Sequence, residues 1–85
     1  MYYVYILQNE QDETDFYTGY SSDLKRRFRE HNEGKNTSTQ GKKWRIVYYE
    51  AYISESVARN RERVLKHDGR AKRFLMDRIR SQFEE

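Results

Sequence analysis

The chain has 85 residues, of which 35% are hydrophobic and 15% aromatic, enough for one small domain (residues 1–85) whose core is built largely from Tyr and Phe. It has no cysteine, which excludes disulfides and thiolate metal sites, and no apolar run as long as a membrane span or a signal core, so a soluble cytoplasmic protein is expected. A net charge of +3 does not by itself imply nucleic-acid binding, but residues 10–15 are acidic while 25–29, 42–45 and 59–80 are rich in Lys and Arg, which is compatible with a phosphate-binding face.

Residues 2–7 (Tyr-Tyr-Val-Tyr-Ile-Leu) are apolar without polar alternation, as in a central strand covered on both faces. Tyr3, Tyr5 and Leu7 share one face, and Tyr2, Val4 and Ile6 the other. Residues 8–15 are polar and acidic, which predicts a hairpin loop longer than the two-residue type, and 16–20 form the returning antiparallel strand. Gly19 within that strand predicts a bulge or a close backbone approach. Ser21 or Ser22 is the expected cap of a first helix, with Asp23 in its opening turn. Leu24, Arg27, Phe28 and His31 fall on one side of this helix, whereas Arg26 is expected in solvent. Gly34 is the expected left-handed stop.

Residues 35–43 contain no apolar side chain and predict an irregular, mobile loop. Residues 44–52 form a third strand by their aromatic and β-branched content. Ser54 caps a second helix whose buried stripe is expected to be Val57, Ala58, Val64 and Leu65, with Glu62 at its edge and Arg61 nearer its centre. Residues 67–69 (His-Asp-Gly) interrupt the helical pattern. A third helix follows, with Ala71, Phe74, Leu75, Ile79 and Phe83 facing inward and Arg70, Lys72, Arg73, Arg78 and Arg80 outward. The order ββαβαα predicts an α/β (α+β) fold, a small three-stranded and mainly antiparallel sheet flanked by about three helices.

The segment 16–32 gathers Tyr17, Arg27 and His31 at one strand-to-helix junction, a combination suited to catalysis that lacks a carboxylate. Each residue also has a plainer reading. Tyr17 belongs to a Tyr-rich sheet, Arg27 has basic neighbours, and a histidine near a helix end often serves the dipole. Glu62 has ion-pair partners nearby in Arg59, Arg61 and Lys66.

The pattern Tyr17-Thr18-Gly19-x-x-x-Asp23-Leu24-x-x-Arg27-x-x-x-His31-Asn32, with Tyr5 twelve residues before Tyr17 and Glu62 in a later helix, resembles the GIY-YIG nuclease superfamily. The likeness runs from the first strand through the second helix. It is strongest to small single-domain members akin to the N-terminal nuclease module of the bacterial-type excinuclease. Two motif positions depart from the family, Tyr3 standing for its first glycine and Thr18 for an isoleucine; both are strand positions. A downstream residue that supports the metal site in larger members has no clear counterpart after Glu62.

The resemblance implies a metal-dependent, structure-selective endonuclease that hydrolyses DNA phosphodiester bonds in repair or recombination, with Tyr5, Tyr17, Arg27, His31 and Glu62 as its site. In that reading Tyr17 is the general base; a free phenol titrates near pH ~10, so it needs activation or a relay. Arg27 holds the scissile phosphate, His31 orients the Tyr17 hydroxyl or shuttles its proton, and Glu62 ligates Mg²⁺ or Mn²⁺. Glu50 and Glu55 are the fallback ligands. Lys25, Arg26, Lys42, Lys43, Arg70, Lys72 and Arg73 are the expected contacts to the nucleic-acid backbone, giving sequence-independent affinity. A protein partner for targeting fits the lack of any base-reading module. The alternative function is a non-catalytic nucleic-acid-binding module that acts with a partner; a protein-interaction domain is a third.

Overall fold

A computed structural model of the chain describes residues 1–84. Strand β1 (Tyr2–Asn9) lies between β2 (Asp12–Ser21) and β3 (Trp44–Tyr52), antiparallel to both, in the sheet order β2-β1-β3. Helix α1 (Leu24–Asn32) follows β2, and α2 (Glu55–His67) and α3 (Gly69–Gln82) follow β3. The fold is therefore α+β in the order ββαβαα, with a wholly antiparallel sheet.

The continuous apolar run of β1 is explained by burial on both faces. Val4, Ile6 and Val47 pack against Ala58 and Leu65 of α2 and Leu75, Met76 and Ile79 of α3. On the opposite face Tyr5, Leu7 and Trp44 pack beneath Leu24 and Phe28 of α1, beside Tyr17 and Ile46. The helices are thus divided between the two faces, α1 on one and α2 and α3 on the other.

Several local features depart from the sequence-based expectation. The first hairpin is tighter than expected: β1 runs to Asn9 and β2 starts at Asp12. Asn9 Oδ1 accepts from the Gln11 N–H, which stabilises the two-residue turn, and residues 13–15 are accommodated where the register shifts between Gln8 and Asn9. The pairing with β1 overrides the low strand propensity of this acidic segment. The N-cap of α1 is Asp23, not Ser21 or Ser22: its carboxylate accepts from Arg26 N–H, while Ser21 Oγ accepts from Asp23 N–H and fixes the approach. Gly34, at φ 76, follows the helix end as expected.

Residues 35–43 are more ordered in pattern than an irregular loop, since Thr37–Thr39 form a 3₁₀ turn capped by Asn36. In α2 Val57 is largely exposed and Val64 half-buried, so the buried line is Ala58 and Leu65. In α3 Phe74 and Phe83 are exposed and Met76 is buried instead. The helix phase set by Ala71, Leu75 and Ile79 carries Phe74 past the edge of the core. Phe83 lies just after α3, with the Arg45 guanidinium 5.0 Å from its ring centroid. Only Asp68 divides α2 from α3; it closes the first and caps the second by accepting from the N–H groups of Arg70 and Ala71.

Candidate active site

The site is built at the β2 edge of the face covered by α1. Because Tyr5 pairs with Gly19 and Leu7 with Tyr17 across β1 and β2, all four face α1. A Cβ at Gly19 would overlap Cζ and Oη of Tyr5, so glycine is what lets the Tyr5 ring lie across the neighbouring strand. This is the close approach expected from sequence, without a bulge at that position.

Tyr5 is fully buried, and its hydroxyl lies 2.8 Å from Nε2 of His31, one of the best-shielded side chains in the protein. The sequence pattern joins His31 to Tyr17. The hydrogen bond runs instead to Tyr5, and the Tyr17 ring packs on the imidazole at a centroid distance of 4.8 Å. The second imidazole nitrogen, Nδ1, lies 2.8 Å from Thr39 Oγ1. Arg27, half-buried on the Phe28 side of α1, is close enough to Tyr5 and Tyr17 for their charges to interact, and it also reaches Glu30 at 3.4 Å. Arg26 is exposed.

Electrostatics separate the roles. Burial, reinforced by the nearby Tyr17, pushes the Tyr5 hydroxyl up to about 12 despite the opposing Arg27, so Tyr5 stays protonated and donates hydrogen bonds. Burial and then the Arg27 charge lower the His31 pKa, which favours the neutral imidazole. Burial works against the charge of Arg27, but the Tyr5 hydroxyl, Glu30 and Tyr17 outweigh it and its pKa is raised.

The carboxylate comes from the other side of the sheet. Helix α2 runs beneath β2, and its stripe Glu55, Arg59, Glu62 and Lys66 follows that strand edge. Glu55 accepts from the Tyr20 hydroxyl at 2.8 Å, Arg59 lies 5.2 Å from the Tyr20 ring centroid, and Lys66 Nζ lies 5.9 Å from the Tyr17 ring centroid. Glu62 pairs with that same Lys66 at 3.4 Å, and its charge is felt by Tyr5. Its side chain is 23% exposed, reachable from solvent but flanked by protein. Among the described residues no three His, Asp or Glu side chains cluster as a multi-carboxylate metal site, so Glu62 stands as a single acidic group.

The fallback ligands are otherwise engaged. Glu50 accepts from Nε and Nη2 of Arg61, each at 2.9 Å, and from the hydroxyls of Tyr48 and Tyr52, on the α2 face of the sheet. This also explains Arg61 near the centre of the α2 stripe. Glu55 is held by Tyr20 and Arg59.

The expected backbone-contact residues do not form one surface. Lys25 and Arg26 are exposed on α1, whereas Arg70, Lys72 and Arg73 are exposed on α3, behind the opposite face of the sheet. Lys43 is exposed, and Lys42 pairs with Asp15 at 2.9 Å.

The family model of the GIY-YIG catalytic domain matches residues 1–74. The chain belongs to the GIY-YIG family. That family is one of nucleases, so the chain carries an endonuclease-type catalytic domain and, with it, the expectation of nucleic-acid binding. A UPF0213 protein of Haloquadratum walsbyi is 38% identical over 74 residues, 85% of this chain and 81% of that one. A UPF0213 protein of Natronomonas pharaonis is 39% identical, with 85% of each chain covered. The solution NMR structure of a UPF0213 protein of Bacillus halodurans aligns with a TM-score of 0.56 at 34% identity, covering 93% of this chain and 85% of that one. The relatives are small GIY-YIG proteins like this one. No helix among the described residues is long and apolar enough to cross a membrane.

Two residues at the GIY-YIG site escape the sequence pattern. Lys66 has a signal in its spacing, four residues after Glu62. Thr39, fully buried in a segment without apolar residues, has none.

Proposed function

We propose that this protein is a structure-selective endonuclease that hydrolyses DNA phosphodiester bonds with the help of one divalent cation and serves DNA repair or recombination in the cytoplasm. The observation that carries this reading is the convergence of Tyr17, Arg27, His31 and Glu62 around the buried hydroxyl of Tyr5, drawn from β2, α1 and α2.

In this reading Arg27 holds the scissile phosphate. Its partial burial and raised pKa keep it charged, and a guanidinium can grip two phosphate oxygens as negative charge develops. Tyr17, on the exposed side of the Tyr5–His31 pair, accepts the proton of the attacking water. Tyr5 remains a phenol and places its oxygen beside Arg27, while His31 anchors it from below. The cation is Mg²⁺ or Mn²⁺, and the donor set suits it: Mg²⁺ keeps several waters and needs only one or two carboxylates, and Glu62 offers one with access to solvent. When bound, such an ion contributes positive charge to phosphate and water. Lys25, Arg26 and Lys43 are the cations free to follow a nucleic-acid backbone on or near this face. The α3 cations would require a substrate that bends around the domain, or would meet a protein partner.

The test uses purified full-length protein with Mg²⁺ or Mn²⁺ and a panel of flap, junction, single-stranded and duplex DNA. Cleavage of branched substrates that Glu62→Ala abolishes is expected. No cutting of any substrate, or a Glu62→Ala variant as active as wild type, would overturn the proposal; salt-dependent binding without cleavage would select a non-catalytic binding module.

A further inference from the structure

His31 is held at both ring nitrogens, by the Tyr5 hydroxyl at Nε2 and by Thr39 Oγ1 at Nδ1, each at 2.8 Å. A neutral imidazole has one N–H and one lone pair, so two proton arrangements are open. With the proton on Nε2, His31 would donate to the Tyr5 oxygen, and the Tyr5 O–H would need a different acceptor. Tyr5 is fully buried, and the polar side chains its hydroxyl meets are His31 and Arg27, of which the guanidinium has N–H donors alone. With the proton on Nδ1, Tyr5 donates to Nε2, Nδ1–H donates to Thr39 Oγ1, and the Thr39 hydroxyl donates to the Asn36 carbonyl 3.4 Å away. Only this second arrangement gives every buried proton an acceptor, and stranding one would be disfavoured on the order of tenfold or more.

Thr39 is itself held by a closed circuit. Its carbonyl accepts from the Trp44 indole N–H at 3.0 Å. The Trp44 backbone N–H donates to Asn32 Oδ1 at 2.7 Å, and Asn32 Nδ2 donates to the Trp44 carbonyl at 3.1 Å. Asn32 adjoins His31, so the chain of contacts returns to its starting point. Asn36 Oδ1 also accepts from Ser38 N–H at 2.9 Å and fixes the turn that presents Thr39. A loop without a single apolar residue thereby delivers one hydroxyl to the back of the imidazole.

We propose that Thr39 is a positioning residue that fixes His31 as the Nδ1–H tautomer, leaving Nε2 as the proton acceptor for Tyr5. The functional meaning rests on the nuclease reading; the tautomer does not. In the fixed tautomer, a proton arriving at the Tyr5 oxygen from the reacting water allows the existing Tyr5 O–H bond to break as Nε2–H forms. Tyr5 remains a neutral phenol and His31 becomes an imidazolium whose Nδ1–H is still bonded to Thr39. The opposite tautomer would point an N–H at Tyr5 and close that route.

Two-bond ¹H–¹⁵N spectra of the labelled full-length protein, at a pH where His31 is neutral, read the tautomer directly. His67 is the other histidine, and a His67→Gln variant assigns the signals. Wild type and Thr39→Ser should show a pyrrole-like Nδ1 and a pyridine-like Nε2. Thr39→Val, which preserves shape and removes the hydroxyl, should shift the population toward Nε2–H, with kcat on the best substrate lowered about tenfold or more and KM little changed. An Nε2–H tautomer in wild type, or a Thr39→Val spectrum with the same tautomer as wild type, would overturn the proposal. The expected tautomer pattern in a protein that cleaves nothing would uphold Thr39 while removing the nuclease reading.

Discussion

Replacing Gly19 with alanine should damage this protein through a single contact. Gly19 does not have a positive φ, so the backbone itself accepts a side chain. The obstacle is Tyr5, whose Cζ, Oη and Cε2 occupy the place of the new Cβ. The ring cannot retreat easily, being fully buried among Leu7, Trp44, Leu24 and Phe28 and held by His31. Overpacking of this kind costs about 1–3 kcal/mol, and loss of the Tyr5–His31 hydrogen bond adds about 1 kcal/mol. Removing a strand glycine returns roughly 0.5–1 kcal/mol. The net cost of about 2 kcal/mol should lower Tm by roughly 8–16 °C in a domain of this size. Thermal melts of Gly19→Ala, Tyr5→Leu and the double variant isolate the cause, because the smaller leucine side chain in the Tyr5→Leu background should relieve most of the cost and give a coupling of about 1–2 kcal/mol. A Gly19→Ala protein that melts within about 2 °C of wild type, or that loses as much stability in the Tyr5→Leu background, would refute the reasoning.

Arg27→Ala should lower kcat by about 10²–10³-fold with the fold intact, as loss of a transition-state donor does, whereas Arg26→Ala should weaken binding and reduce its salt dependence without that loss. Tyr17→Phe should reduce the cleavage rate by about 10²–10⁴-fold while its melting and DNA binding stay near wild type, a comparison made by single-turnover cleavage and filter binding. Alkaline titration followed by phenolate absorbance should show two late tyrosines. Tyr5 and Tyr52 are raised from 10.0 to about 12, the first by burial and Tyr17, the second by burial and Glu50. Because their folded values exceed their unfolded ones, the stability they contribute is full below about pH 10 and is lost as pH rises towards about 12. Glu50 has the opposite sign: burial opposes ionisation, but Arg61, Tyr48 and Tyr52 outweigh it and lower its pKa, so its contribution is lost as pH falls below the ordinary carboxylate range. Glu50→Gln should therefore flatten the acid side of a stability–pH curve.

The central strand, the helix carrying Arg27 and His31, and the glycine beside Tyr5 are legible in the sequence because each depends on local chemistry. A double-sided apolar run, a residue one turn from another, and a missing side chain all leave marks in the order of residues. What is not legible depends on contacts distant in the chain. In α3, Phe74 looks more apolar than Met76, yet the phase is set by where the helix meets Val4 and Ile6. The acidic residues of β2 form a strand because β1 pairs with them, against their own preference. Thr39 is buried by hydrogen bonds from His31 and Trp44 rather than by an apolar neighbourhood. The partner of His31 differs from expectation for a related reason: Tyr5 and Tyr17 share a sheet face, and only the tilt of the Tyr5 ring across Gly19 decides which hydroxyl reaches the imidazole.

The catalytic reading depends most on Glu62, which belongs to a helix on the far face of the sheet and approaches the tyrosines around the β2 edge beside Lys66. The most direct measurement is the anomalous scattering of Mn²⁺ soaked into crystals of the protein. One manganese should bind a Glu62 carboxylate oxygen, with Lys66 displaced and the ion facing the Tyr17 hydroxyl. Manganese bound elsewhere, or none at Glu62 at millimolar concentration, would contradict that reading.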